Sequence, residues 1–493
     1  MRLVTGAQMA EIDRRTIHDF GLDGQVLMEV AGRSLAEWLG RHCPTGARVA
    51  FLCGPGNNGG DALVAARAWA DLGGEAECFL LGQEYRGDAA LNLERARRWK
   101  LPLRPWEEVP SDWARYSWVV DGLFGTGLSR ALGDDLARVI ESLPGERTLA
   151  IDIPSGVHSA TGQVLGKAVR AVATLTFGLP KLGQLLPPGN QYCGCLEVVP
   201  IGFPRSLTES DEWPGQWITS DWCRRHLPRR GWDTHKGKSG RVLVVAGSSR
   251  YPGAAVLATL GALRAGAGLV YTLAPARVLE AVMHHAPEAI PLCTSHPDHW
   301  TLADQSHLQA GYDVALVGPG LGQHEEVARA SRALLESFSG PMVVDADGLR
   351  TLSEGSLALS PRVLLTPHVG ELSRLTRLRA PEIEADRLQA ALKAARNYRC
   401  CVLLKGASTL VTTPGGSFLL SNQGTPVLAQ GGSGDVLAGV AAALIGQGLA
   451  ALEAGGLAAE LHGRASRLAE VPAGLGARAL CEWIPRAWKQ LCD

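Results

Sequence analysis

Two α/β domains in tandem, each built on a largely parallel sheet, are the architecture this sequence predicts. Three observations carry that reading. The chain has 493 residues, too many for one ordinary core. Short apolar runs rich in β-branched residues alternate with Ala/Leu-rich helical stretches, the texture of strands covered on both faces by crossover helices. That alternation breaks near residues 204–222, where FPRSLTESDEWPGQWITSDW is polar and bears Trp and Pro, as a linker would.

Before the break, strand candidates lie at 48–53, 76–81, 117–121, 148–153, 171–177 and 195–199. Helical stretches 61–72, 88–99 and 133–143 separate the first four. After it come RVLVVAG (241–247), GLVYTLA (268–274), DVALVG (313–318), PMVVDAD (341–347), RVLLTPH (362–368) and CVLLKG (401–406). A hairpin pattern, TLVTTPGGSFLLS (409–421), follows. Domains at 1–212 and 220–493 are therefore expected.

Composition narrows the function classes. Hydrophobic residues make up 46% of the chain and charged ones 20%, which excludes a disordered protein. A net charge of -1 offers no bulk attraction to nucleic acid or anionic lipid, so neither is expected as a partner. Cys193-x-Cys195 and Cys400-Cys401 lack a second pair or a histidine at zinc spacing, and buried structural thiols are the reading. The N-terminus has acids and no apolar signal region. The apolar run 436–452 contains Gln447 and glycines and follows a Gly-rich loop, which points to a buried helix rather than a membrane span. A cytoplasmic protein is expected.

In open α/β sheets, ligands bind where the carboxyl ends of the strands converge. In the first domain those ends carry GPGNNGGD (54–61), DGLFGTGLSR (121–130) and DIPSG (152–156), each combining glycine with a carboxylate. Gly54, Gly56 and Gly59 satisfy the G-x-G-x-x-G spacing of a dinucleotide turn. Asp61, however, would repel a pyrophosphate unless a cation lay between them, and the Asn57-Asn58 amides are more than such a turn needs. Asn, Asp and Ser oxygens together suit an alkali or alkaline-earth cation. The bland alternative is three ordinary glycine-rich loops.

In the second domain AQGGSGDVLAG (429–439) is the informative stretch. Glycines 431, 432 and 434 open a helix whose free N–H groups and dipole form an anion hole, and Asp435 at its mouth can take a proton from an attacking hydroxyl. Base plus anion hole is the pattern of ribokinase-like kinases. HKGKSG (235–240) contains GKS but is no P-loop, because Trp232 stands where a P-loop has glycine and the turn precedes its strand.

These strings resemble two known families. CGPGNNGGDALVAAR, DGLFGTGLSR, AIDIPSGV and TLTFGLPKLG make residues 1–205 similar to the YjeF N-terminal domain, a Rossmann-like three-layer NAD(P)H-hydrate epimerase. That resemblance implies that Asn57, Asn58, Gly59, Gly60 and Asp61 contact the hydrated nucleotide. Gly125, Thr126, Gly127, Leu128, Ser129, Arg130, Ala131 and Asp152 would do so too. It also implies that Asn58, Asp121 and Ser155 hold K+, with Asp121 and Asp152 as candidate acid and base. Val30 and Ala62 depart from the family pattern, with local changes to the pocket expected.

SSRYPGAAVLA, VGPGLG, VDADGL, LTPHVGEL, LKGASTLV and GGSGD, in that order, resemble the ribokinase-like ADP-dependent NAD(P)H-hydrate dehydratase over residues 225–490. The implied substrate contacts are Ala254 or Ala255, Gly322 and His368, with Asp435 as catalytic base. Lys405, Gly406, Ala407, Ser408, Thr409 and Gly434 would hold ADP, with Mg2+. Hydrated NADH or NADPH and ADP are the implied small-molecule partners, and a homo-oligomer is expected. Two alternatives remain open: a small-alcohol kinase in the second domain, and a non-catalytic binding module in the first.

Overall fold

The computed structural model describes residues 1–309, 311–353 and 357–492, and the chain divides into two compact units, Met1–Pro214 and Gly215–Asp493. The first unit is built on β1 (Arg48–Cys53), β2 (Glu75–Leu80), β3 (Leu103–Pro105), β4 (Trp118–Gly122), β5 (Thr148–Ile151), β6 (Ala173–Phe177) and β7 (Cys195–Val199). All pairings are parallel, in the order β3-β2-β1-β4-β5-β6-β7. β1 and β5 are buried almost throughout, as continuous apolar runs covered on both faces require. The order reverses between β1 and β4, so a crevice opens beyond Cys53 and Gly122. β3 has no apolar signature, and its Pro105 sits at the sheet edge, where a missing N–H is tolerated.

Two of the glycines after β1, Gly54 and Gly59, are packed against neighbouring backbone. A Cβ on Gly54 would lie 1.8 Å from the Leu123 carbonyl oxygen, and one on Gly59 would lie 1.7 Å from that of Gly54. Gly60 packs on Met28. These contacts let the helix Asn57–Asp71 start four residues earlier than the sequence suggests. Asn58 and Asp61 thus fall one turn apart on the same helical face.

The second unit is built on β8 (Gly215–Trp217), β9 (Arg241–Val245), β10 (Leu269–Ala274), β11 (Ile290–Cys293), β12 (Val314–Val317), β13 (Met342–Val344), β14 (Val363–Leu365), β15 (Cys401–Leu404), β16 (Thr409–Thr412) and β17 (Phe418–Ser421). Their order is β8-β17-β16-β15-β14-β13-β12-β9-β10-β11. The expected hairpin is present as antiparallel β16 and β17. The presumed linker is structured from Gly215 on. β8 pairs with β17, and Trp222 on the helix Ser220–His226 is buried in the core, so the tryptophans that marked this stretch anchor it.

Beneath this sheet the helices Pro252–Arg264 and Ser433–Gly446 meet backbone to backbone. A Cβ on Gly439 would be 2.1 Å from the Ala258 carbonyl oxygen, and one on Gly261 would be 2.5 Å from that of Val436. The apolar run at 436–452 is this buried helix, which stops at Gly446, and a second helix begins at Ala451. Among the described residues no helix is long and apolar enough to cross a membrane. Cys401 is buried, and burial pushes its thiol up to about 12, away from thiolate chemistry.

Gly59→Ala sets helix propensity against packing. Alanine favours the helix by about 1 kcal/mol, while the clash with Gly54 costs about 1–3 kcal/mol or more. We expect a lower urea midpoint for the first unfolding transition of the full chain; a raised midpoint would contradict the packing role.

Candidate active sites

A cleft of ≈ 590 Å³ opens at the strand ends of the first unit. Of the residues expected from sequence, Asn57, Asn58, Asp61, the segment 125–130 and Asp152 line it. Gly59 and Gly60 do not, being turned into the packing described above, and exposed Ala131 lies outside the lining. Met9, Leu27, Met28, Phe177 and Phe203 supply an apolar wall of the size an aromatic or dihydropyridine ring needs. Neither departure from the family pattern touches the cleft. Val30 faces solvent, and Ala62 is fully buried against Gly122.

Among the titratable lining residues, Asp13, Asp88 and Lys181 were missed. Lys181 has no exposed side-chain surface, and its ammonium pairs with Asp152 while donating to Thr176 Oγ1 (2.9 Å) and the Phe177 carbonyl oxygen (3.0 Å). Asp152 Oδ1 also accepts from the Phe177 amide (3.1 Å), and its backbone has φ +59. Burial, then the charges of Asp152 and Asp13, push the Asp61 carboxyl well above its ordinary range, against the pull of Lys181. Asp13 is also raised, by burial and by Asp88 and Asp152. The cleft thus holds two carboxyls that favour their protons, Asp61 and Asp13, and one, Asp152, paired with a lysine. The signal for Lys181 was present in TLTFGLPKLG as a lone cation after a buried strand.

Asp121 lies under the cleft wall, fully buried. Its carboxylate accepts from Ser155 Oγ (2.7 Å), the Ser155 amide (2.8 Å) and the Leu123 amide (3.3 Å), while burial pushes it up to about 6. Ser155 Oγ in turn accepts from the Phe124 amide at 2.9 Å. Asn58 donates through Nδ2 to the Ile151 carbonyl oxygen (3.2 Å), and its Oδ1 faces Gly125.

In the second unit the helix Ser433–Gly446 begins after Gly432, at φ +89, with no side chain capping it. Its first-turn N–H groups are therefore open to an anion. Asp435 is in that turn. Burial first, then the charges of Asp345, Asp347 and Glu371, push its carboxyl up to about 7, with Lys405 opposing. Lys405 Nζ bonds Asp345 Oδ1 at 2.6 Å and lies where a Cβ on Gly434 would be 3.2 Å away. Burial alone would lower the Lys405 ammonium, but Asp345, Glu371 and Asp435 outweigh it and raise it. Thr366 Oγ1 donates to the same Asp345 oxygen at 2.8 Å.

The other expected residues divide by exposure. Ala255 is buried in the core, so Ala254, packed on Gly320, is the one nearer the loop surface. The Gly322 amide is held by Asp347 Oδ2 at 2.8 Å. His368 caps the helix Val369–Thr376, its Nδ1 accepting from the amides of Gly370 (3.0 Å) and Glu371 (3.4 Å), while its Nε2 lies 3.6 Å from Glu371 Oε1. Gly406 and Ala407 are exposed, Lys405 and Thr409 part-buried, and Ser408 buried. Sequence reading quoted VDADGL and TPHVGE but overlooked the electrostatic part that Asp345, Asp347 and Glu371 play around Asp435.

The fold and the two carboxylate sites define a two-domain α/β enzyme, with acid–base chemistry in the first unit and an anion hole beside a base in the second. Residues 24–183 match the model of the YjeF-related protein N-terminus and residues 242–486 that of NAD(P)H-hydrate dehydratase. A bifunctional NAD(P)H-hydrate repair enzyme of Thermofilum pendens is 38% identical over 100% of this chain and 97% of its own. One from Moorella thermoacetica is 38% identical over 94% and 92%. The ADP/ATP-dependent NAD(P)H-hydrate dehydratase of Bacillus subtilis, co-crystallised with ATP and Mg2+, superposes with a TM-score of 0.50 at 31% identity, covering 55% of this chain and 97% of that one. The chain belongs to the bifunctional NAD(P)H-hydrate repair enzyme family.

The raised carboxyl of Asp435 has a stability consequence. Its folded-state value, about 7, exceeds the unfolded one, so its contribution is retained in acid and lost as pH rises from about 4 through 7. Asp435→Asn should therefore raise the thermal midpoint of the second unit at pH 8 and leave it unchanged at pH 4. Equal midpoints for both proteins at pH 8 would contradict the burial of charge described here.

Proposed function

We propose that the chain repairs hydrated NADH and NADPH, epimerising the hydrate in the first unit and dehydrating its S epimer in the second with ADP as phosphate donor. The observation that carries this reading is Asp435, a carboxyl held near neutrality beside Lys405 and an uncapped helix N-terminus. A base at pH 7 must be deprotonated often enough to act and basic enough to accept a proton, and a value of about 7 meets both demands.

Asp435 takes the proton of the C6 hydroxyl, whose oxygen attacks the terminal phosphate of ADP. The N–H groups at the helix start and the Lys405 ammonium receive the charge that develops, with Mg2+ accompanying the nucleotide. The phosphorylated oxygen is a far better leaving group than hydroxide. The ring nitrogen's lone pair expels it as phosphate, and the resulting iminium ion gives its C5 proton to the departing phosphate, restoring the C5=C6 double bond and leaving NAD(P)H, AMP and phosphate. The segment 405–409 and Gly434 hold the nucleotide. Ala254, Gly322 and His368 Nε2 face the hydrate.

Inversion at C6 requires that carbon to become planar. In the first unit Asp61, which favours its proton, protonates the departing hydroxyl, and Asp152, paired with Lys181, receives a proton from water adding to the opposite face. Asp121 works from beneath the wall. With Asn58 Oδ1 and Ser155 Oγ it offers oxygen donors that suit K+, which would supply positive charge near the nucleotide's phosphates. The kinase alternative retains the same base and anion hole but would accumulate a phosphorylated product.

Two measurements check this reading. Absorbance of the dihydronicotinamide is followed with purified protein, Mg2+, ADP and an epimer mixture of hydrated NADH. Asp435→Asn should lower dehydration by about 10²–10⁴-fold while chiral analysis shows epimerisation intact, and the wild-type rate should rise through a pH of about 7 to a plateau. Loss of both activities together, or a stable phosphorylated product, would refute this division of labour. Asp61→Asn should halt recovery once the S epimer is consumed; full recovery of the mixture at the wild-type rate would remove Asp61 from the mechanism.

A further inference from the structure

The second unit carries a histidine-rich corner that neither activity uses. We propose that His299, His324 and Glu326 form a binding site for a divalent transition-metal ion, with zinc the best match to the ligand set. One ligand atom of each lies within 4.8 Å of the other two. His299 Nε2 and Glu326 Oε2 are 3.2 Å apart, close to the edge of a tetrahedron with metal–ligand bonds of about 2.0–2.2 Å. Two imidazoles and one carboxylate leave a fourth position open. His296 stands beside it. Its ring centroid is 3.9 Å from that of His299, and its Nδ1 accepts from the Asp298 amide (3.2 Å), leaving Nε2 for other partners.

The ligands sit on two braced supports, the condition for a site rather than a chance meeting of side chains. His324 precedes the helix Glu325–Ser337, and Glu326 lies in its first turn. The loop bearing His296 and His299 is pinned by fully buried Trp300 and by Asp304, which accepts from the Ser295 amide (2.6 Å) and the Thr301 amide (2.8 Å). Thr294 Oγ1 donates to the His296 carbonyl oxygen at 2.7 Å. Between the supports the rings of His299 and His324 stack, centroids 4.6 Å apart and planes at 24°.

The site also reaches the catalytic loop. His324 is two residues beyond Gly322, whose amide Asp347 holds, so an ion here ties the VGPGLG segment to the 294–304 loop. Its role is bracing, with no part in the chemistry. A hydrogen-bonded surface His–Glu pair is the competing account, and it predicts no affinity for metal.

Full-length protein, stripped with chelator, is titrated with Zn2+ by calorimetry and with Co2+ by visible absorption. The expected result is one equivalent bound, d–d bands without a thiolate charge-transfer band, and affinity at least ~10-fold weaker in His324→Ala and in Glu326→Gln. Circular dichroism confirms that both variants are folded. Absence of binding, unchanged affinity in both variants, or a thiolate band placing the ion on a cysteine such as exposed Cys293 would overturn the proposal.

Discussion

Each unit gathers several carboxylates around one lysine, fully buried Lys181 in the first and part-buried Lys405 in the second, and the proposed chemistry depends on that imbalance. Lys181 pairs with Asp152 and Lys405 with Asp345, and in each case the lysine's own hydrogen bonds fix it on that partner. A second carboxylate nearby, Asp61 in one unit and Asp435 in the other, is only partly offset by that lysine, and burial with its acidic neighbours holds its proton more tightly. The ion pairs thus matter less for stability than for setting apart two chemically identical side chains.

The scaffold makes such crowding possible by bringing loops together at the carboxyl ends of parallel strands. In the first unit the reversal of strand order between β1 and β4 opens the crevice, and glycine contacts hold the helix Asn57–Asp71 close enough to present Asn58 and Asp61 together. In the second the left-handed turn at Gly432 starts a helix with its N–H groups uncapped. Glycine serves close packing in one place and chain reversal in the other, although both stretches read as glycine-rich loops.

Much of this was legible in the chain. Buried parallel strands announce themselves as apolar runs because both faces are covered, and GGSGD places a base at a helix start by itself. The edge strands β3 and β11 escaped because a strand paired on one side needs little apolar character, and β8 was hidden inside an apparent linker. The spacing G-x-G-x-x-G says nothing of what its glycines touch, and the contact of Gly54 and Gly59 with the backbones of Leu123 and Gly54 belongs to tertiary structure. Lys181, Asp13 and Asp345 escaped for another reason. Their importance is electrostatic, and which charges face one another across loops distant in sequence is decided only by the fold.

The seam between the helices Pro252–Arg264 and Ser433–Gly446 has one further implication. With Gly261 and Gly439 set against the facing backbone, neither helix has room to slide, so the segment bearing Ala254 and the segment bearing Asp435 behave as one solid wall. Divergence toward a differently shaped substrate is thereby channelled into the connecting loops, where length and composition vary without disturbing that wall. The distance between base and anion hole is in effect inherited with the seam, while the choice of molecule brought to them stays free to evolve.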